Sequence, residues 1–422
     1  MKRYDKYKAT NITWLPEVPA HWGLIRFGSV FKRKPAINRP EEELLSVFLD
    51  RGVIKAVESD KRTHQASEDL GKYQLVEPGD FVMNNQQAWR GSVGVSDYVG
   101  IISPAYHIFP MPECFDAHYA NYLLRDRVMV NLFDICSKGV GSIQRTLNFN
   151  WLNNGKCLLP PIEEQKKIVA FLDKQLALID SCKVQKEKQV QTLLELKQAE
   201  ISSVISHGLN PNVSTKESGI FWMPRIPETW TVTKLKHILT KLDRPRRPND
   251  ELLICSNSGE VKKRGDSRLG LVADSEEIYQ GVRKDDLLIH GMDTWHGAIA
   301  VSDYEGMCTP VVHVCDSTQN KEFVAYYLRN MAYEKIFKLI SNGVRQNTSD
   351  FRSWGKVGTI LIPLPPIEEQ DSIVQYIKSK TEKIDRMVNA LSTEIDLLIE
   401  YKQRLISDVV TGQIDIRDEV IA

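Results

Sequence analysis

Two sets of side chains in this sequence have the types and spacing to contact DNA. The first is a basic loop broken by proline, and it occurs twice. Lys32, Arg33, Lys34 and Arg39 flank Pro35 and Pro40 in one copy; Lys241, Arg244, Arg246 and Arg247 flank Pro245 and Pro248 in the other. Clustered cations of this kind suit phosphate oxygens, which set affinity and register without reading sequence. A solvated charge run looks the same for either loop alone; recurrence at equivalent places tips the balance toward phosphate. Lys61 with Arg62, and Lys262 and Lys263 with Arg264, are weaker members of the same class.

The second set is a polar turn around a tryptophan. It reads Asn84, Asn85, Gln86, Gln87, Trp89 and Arg90 in one copy, and His290, Asp293, Trp295 and His296 in the other. Asn and Gln pair bidentately with adenine, Arg with guanine, and Asp accepts from cytosine. A shared tryptophan with divergent polar neighbours is what two readers of different sequences need, although loop hydrogen bonding also accounts for any one residue. Gln144 with Arg145, and Arg345 with Gln346, form a further reading or phosphate loop.

Bond-breaking chemistry has no comparable signal, and no catalytic or metal site is expected. Gly71-Lys72, Gly155-Lys156 and Gly355-Lys356 lack the upstream glycine and following Ser/Thr of a phosphate-binding loop. The NPPY-like tetrapeptide of an adenine methyltransferase does not occur, nor does a glycine-rich cofactor fingerprint. Glu195 and Lys197 have nuclease-like spacing but fall in a long helical pattern, where a solvated face and a seam flank explain them. The His290–His296 segment has no second Cys or His pair to complete a metal site.

The elements that must carry these residues form a tandem repeat. PPIEEQ begins at Pro160 and again at Pro365, 205 residues on. The pattern W-x-P-x-[VI]-P-x-x-W spans Trp14–Trp22 and Trp222–Trp230, and Ser96-Asp97-Tyr98 answers Ser302-Asp303-Tyr304. After each PPIEEQ the chain runs without Gly or Pro for about 45 residues, a helix of about 65 Å at 1.5 Å per residue. Apolar residues step by threes, fours and sevens: Val169, Leu172, Leu176, Ile179, Val190 and Leu193 in the first, and Val374, Ile377, Ile384, Val388, Leu391, Ile395 and Leu398 in the second. That is a coiled-coil seam, looser where Lys183 and Lys186 occupy it. Packed antiparallel, the two helices are expected to form a rigid spacer between two lobes, with the tail at 409–412 close to the N-terminus. Each lobe reads as mixed α/β, with strands at 44–49, 80–83, 92–95 and 106–109 and a helix over 115–135, answered by one over 322–340.

The totals limit the alternatives. Lys+Arg and Asp+Glu both number 55, so DNA binding would come from local patches. The seven cysteines include no CxxC pair and fit reduced core thiols. With no apolar run of membrane length and no secretion signal, a cytoplasmic protein is expected, with no membrane partner.

The duplicated PPIEEQ with its long helix, the W-x-P-x-[VI]-P-x-x-W entry and the Thr411-Gly412-Gln413-Ile414 tail resemble the specificity subunits of Type I restriction–modification enzymes. The likeness covers essentially the whole chain. It implies two α/β target-recognition domains at 1–155 and 211–360, and conserved helical regions at 156–210 and 361–422. It further implies a non-catalytic chain that reads a bipartite, asymmetric site on double-stranded DNA. Two modification subunits would bind S-adenosylmethionine and methylate adenine; restriction subunits would use ATP and Mg²⁺ to translocate and cleave. The rival reading is a coiled-coil scaffold displaying two protein-binding lobes.

Overall fold

Proline lacks an amide hydrogen and fits only the first turn of a helix. Directly after Pro160-Pro161 and Pro365-Pro366 the two long helices begin, Ile162–His207 and Ile367–Val410. Each stops at a glycine in the left-handed region, Gly208 at φ +76° and Gly412 at φ +72°. A Cβ at Gly412 would lie 2.4 Å from Pro19 Cδ, so both the turn and the packing demand glycine. The computed structural model describes residues 2–35, 37–58, 70–140, 144–265, 278–341 and 351–419. They form two compact units, Met1–Glu187 with Thr393–Ala422, and Lys188–Ser392, so each long helix is divided between both.

In the first unit, Tyr7–Ile12 and Leu15–Pro19 form a hairpin, and Gly23–Arg26 pairs antiparallel with Lys156–Leu159. The central antiparallel sheet has the order Tyr106–Phe109, Phe81–Asn84, Val93–Val95. Side chains alternate across a strand, and so Phe81 and Met83 join one apolar cluster while Val82 joins another with Leu45, Val53 and Ile108. The larger cluster holds Trp22, Phe27, Tyr119 and Phe133, and takes in Leu172, Leu176 and Ile179 from one long helix and Leu405 and Val409 from the other. Within this unit the two helices run antiparallel: Asp180 pairs with Lys402 at 2.7 Å, and further along Lys186 pairs with Glu394. The chain ends meet here too, Asp415 N donating to Lys2 O at 2.8 Å.

The second unit repeats the plan. Its antiparallel sheet has the order Leu239–Lys241, Val312–Ser317, Leu287–His290, Ile299–Val301. Trp230, Phe323, Tyr327 and Phe337 pack with Val204 and Ile205 of the first long helix and with Ile373, Val374 and Ile377 of the second. Here again the helices are antiparallel, with Lys197 Nζ 2.6 Å from Asp385 and Tyr376 Oη 3.1 Å from Glu200. The seam residues Val169, Val190, Leu193, Val388, Leu391, Ile395 and Leu398 are half-buried, whereas Leu172, Leu176, Ile179, Val374, Ile377 and Ile384 are buried. From 180 to 203, and from 385 to 404, neither helix has a fully buried residue. In that stretch the half-buried apolar residues are accompanied by ion pairs between the helices, Lys186 with Glu394 and Lys197 with Asp385.

PPIEEQ has a specific task in both units. Gln165 is completely buried; its Oε1 accepts from Asp116 N at 2.8 Å, and its Nε2 donates to Cys114 O and Pro160 O, both at 2.9 Å. Gln370 does the same with Asn320 N at 3.1 Å and Pro365 O at 2.8 Å, and also reaches Gln319 Oε1 at 2.9 Å. Asp116 and Asn320 each cap a lobe helix with their own side chains. The glutamine therefore joins the start of a long helix to the start of a lobe helix. In the first unit Glu164 adds a buried acceptor for Trp22 Nε1 at 3.0 Å and Tyr4 Oη at 2.5 Å.

Two local expectations need correction. The helix expected over 115–135 is two, Ala117–Arg125 and Arg127–Ile135, because Asp126 turns to extended ψ 153° and its carboxylate caps the second helix through Val128 N. The helix expected over 322–340 likewise splits into Lys321–Tyr333 and Ile336–Ile340, with Lys335 left-handed at φ +59°. All seven cysteines are free thiols, five of them buried. Among the described residues no helix is long and apolar enough to cross a membrane.

Candidate nucleic-acid interface

The first basic loop leaves the short helix Phe27–Val30 and runs past the central sheet. Lys32, Arg33 and Arg39 are exposed; Lys32 Nζ donates to Gly28 O, and the Arg33 guanidinium lies 6.0 Å from the Phe149 ring. Lys34 differs. Only 11% exposed, it pairs with Asp80 at 2.7 Å and Glu77 at 2.5 Å. Its equivalent in the second unit is Arg244, which grips Asp286 at 2.7 and 3.4 Å. Asp80 and Asp286 also accept from Glu77 N and Arg283 N, at 2.8 and 2.6 Å. One cation of each loop thus ties the loop to its lobe. Lys241 is exposed, Arg246 half-buried, and Arg247 shares an exposed contact with Glu305 at 3.1 Å. Lys262 and Lys263 are exposed and paired with Glu260 and Glu251, and Arg264 is half-buried beside them. Lys61, Arg62, Arg345 and Gln346 lie outside the described residues.

The tryptophan turns follow the strands Phe81–Asn84 and Leu287–His290. Asn84 Oδ1 accepts from Gln86 N at 2.9 Å and Gln87 N at 3.2 Å, so its side chain shapes the turn. His290 Nδ1 has the same position, accepting from Asp293 N at 3.1 Å. Burial holds the His290 pKa below its ordinary value against the opposing charge of Asp293. Asn85 is half-buried with its Oδ1 unpartnered, while Gln86 and Arg90 are exposed. Trp89 Nε1 donates to Gln86 O at 3.0 Å. Its ring carries two guanidiniums, Arg90 at 5.8 Å and Arg145 at 4.6 Å. Arg145 comes from the hairpin Ser137–Val140/Gln144–Leu147 and pairs with Asp134 at 2.5 Å. In the second unit the Trp295 ring carries Lys338 at 5.6 Å, with His296 exposed beside it and a cleft of about 540 Å³ bordered by Tyr326, Arg329 and Tyr333. Both units therefore hold a cation on the ring of the repeated tryptophan.

Behind each turn sits a buried histidine, His107 and His313, against an aromatic ring: Phe149 at 4.4 Å and Trp354 at 5.6 Å. Burial and then the charge of Arg33 push the His107 pKa down to about 4, and burial also lowers that of His313. Both are neutral at pH 7, which keeps the positive charge of the face on exposed side chains. Lys138, Trp151, Asp134 and Lys338 were not singled out by sequence. Lys138 lies in the repeated segment Ser137-Lys-Gly139-Val140, the one signal that pointed to it. Among the described residues no group of acidic, His or Cys side chains is arranged to hold a metal ion. Glu195 and Lys197 bond instead to Gln191 and Asp385.

No protein-family profile matches the chain. The provisionally assigned type I restriction enzyme MjaX specificity subunit of Methanocaldococcus jannaschii is 26% identical, over 97% of this chain and 98% of that protein. The type I restriction enzyme MjaVIII specificity subunit of the same organism is 23% identical over 95% of each. Among solved structures, a chain of a type I R-M system described for its assembly and conformational transition covers 94% of this chain and 99% of its own length, at TM-score 0.69 and 14% identity. The HsdS subunit of Thermoanaerobacter tengcongensis follows at TM-score 0.51 and 16% identity. Over nearly its whole length the chain is thus similar in sequence to type I restriction enzyme specificity subunits, and it shares the fold of the solved type I R-M chains.

Proposed function

We propose that the chain recognises a bipartite, asymmetric DNA sequence and directs adenine methylation and restriction by other subunits. Each lobe, at 1–155 and 211–360, reads one half-site. The regions at 156–210 and 361–422 are the shared helical frame. The chain performs no chemistry of its own; S-adenosylmethionine, ATP and Mg²⁺ serve two modification subunits and the restriction subunits that join it on DNA in the cytoplasm. The observation that carries this reading is the repeated tryptophan with a cation on its ring, in units that each also carry a basic loop. Cations over an aromatic ring are oriented before DNA arrives, and exposed ones are available to phosphate.

The test is binding of the chain, assembled with its modification subunits, to random and cognate duplexes across salt. Six or more phosphate contacts predict a loss of affinity on the order of a thousandfold between 50 and 200 mM salt. Cognate DNA should also bind more tightly than random DNA at every salt concentration. Affinity independent of salt would instead support a scaffold for protein partners.

A further inference from the structure

The basic loops of the two units align by backbone as well as by charge. Lys34 N donates to Ile108 O and Leu242 N to Val314 O, both at 2.8 Å. These carbonyls belong to equivalent rungs: Ile108 faces Val82 and Val314 faces Leu288, each two residues past the aspartate of its sheet. Leu242 therefore stands where Lys34 does, and Arg244, two places on, takes the aspartate in its stead. The residue just before is Arg33 in one unit and Lys241 in the other. Both are exposed, and neither side chain has a hydrogen bond or ion pair among the described residues. Arg39 and Arg247, whose carbonyls accept from Glu42 N and Asp250 N, are the next equivalent pair; there Arg247 is already matched by Glu305.

Each of these two cations stands beside uncharged groups. The Arg33 guanidinium lies 6.0 Å from the Phe149 ring, which in turn lies 4.4 Å from the ring of His107. Burial first, and then the charge of Arg33, lower the His107 pKa. Burial lowers that of His313 as well; the bond to Phe351 O opposes this, and the charge of Lys241 adds to it. No carboxylate pairs with either cation, so the charge stays available to an anion from outside. The same groups lead to the tryptophan turns. Leu147 N, two residues before Phe149, donates to Asn85 O at 3.3 Å. In the second unit His313 Nε2 donates to Phe351 O at 2.8 Å, and a Cβ on Gly291 would lie 2.9 Å from that oxygen. We infer that Arg33 and Lys241 make the same contact in their two half-sites: each binds one backbone phosphate beside the bases that its unit's tryptophan turn meets. Such a contact sets the register of the turn and reads no base. Lysine binds phosphate as a point charge and arginine as a fork, so the change of residue between the units keeps the contact.

This inference rests on the proposed function, and its test separates the two. The chain assembled with its modification subunits is offered duplexes in which one phosphate at a time, across both half-sites, is replaced by a neutral methylphosphonate. The wild-type complex should lose affinity at several linkages of each half-site. Arg33→Ala should abolish that sensitivity at one linkage of one half-site, and Lys241→Ala at the correspondingly placed linkage of the other. Sensitivity at the remaining linkages should persist, which excludes misfolding. Each substitution should reduce the slope of log affinity against log salt by about 1, and the two together by about 2, while the ratio of cognate to random affinity stays unaltered. Arg33→Lys should keep both the slope and the scan. Scans unchanged by either alanine variant, or sensitivity lost at places that do not correspond, would overturn the inference while leaving sequence-specific binding by the chain intact. A wild-type complex indifferent to every neutral linkage and to cognate sequence would overturn the proposed function and the inference together.

Discussion

Replacing Gln165 with leucine should detach one lobe helix from one long helix and leave the other unit untouched. The side chain is completely buried and serves three backbone groups: it accepts from Asp116 N and donates to Cys114 O and Pro160 O. Leucine fills most of the volume and offers none of these bonds. Each net hydrogen bond is worth about 1 kcal/mol, and each buried group left unpaired costs at least that much. The expected loss is therefore about 3 kcal/mol. With a urea slope of about 3 kcal/mol/M, the unfolding midpoint of the first unit falls by about 1 M. Hydrogen exchange gives the local readout, because the Asp116 amide should lose its protection while the Asn320 amide keeps it. Gln370→Leu should produce the mirror result through Asn320 N and Pro365 O. A midpoint change under 0.3 M, or equal loss at both amides, would refute the claim that each glutamine fastens its own unit.

Two further predictions concern spacing and pH. Inserting one or two helical turns into both long helices should lengthen the unread gap between half-sites and preserve both half-site sequences; a methylation assay showing the same gap would contradict a spacer role. His107 titrates near 4 when folded and near 6.5 when unfolded, so its contribution is intact above pH 6.5 and is lost as pH falls toward 4. At pH 5 the first unit should be about 2 kcal/mol less stable than at pH 8, and His107→Leu should remove that difference; identical pH dependence in urea titrations of both proteins would count against it.

Long-range order was legible where the signal was repeated or periodic. The duplicated PPIEEQ placed both long helices, and the apolar steps gave the face each buries. What stayed hidden depended on partners distant in sequence. Nothing near Lys34 or Arg244 announces that Asp80 and Asp286 will claim them, so cations that anchor a loop look identical to those that face solvent. Arg125 and Arg329 each donate to a backbone carbonyl of a neighbouring hairpin, Asp50 O at 2.6 Å and Gly259 O at 2.9 Å, contacts that no local pattern announces. The break at Asp126 was masked by apolar periodicity continuing through it, because a capping carboxylate overrides propensity at a single residue. The cation–tryptophan contacts depend on hairpin register, and no local pattern encodes which side of a ribbon meets which ring.

The central claim is that each lobe reads its own short sequence. It is tested most directly by mapping methylated adenines in cells carrying the intact system, once with the native chain and once with residues 13–150 replaced by the corresponding lobe of a relative. The account predicts a motif of two short words around an unread gap, of which only one word changes on replacement. A single continuous motif, or a replacement that alters both words, would contradict it.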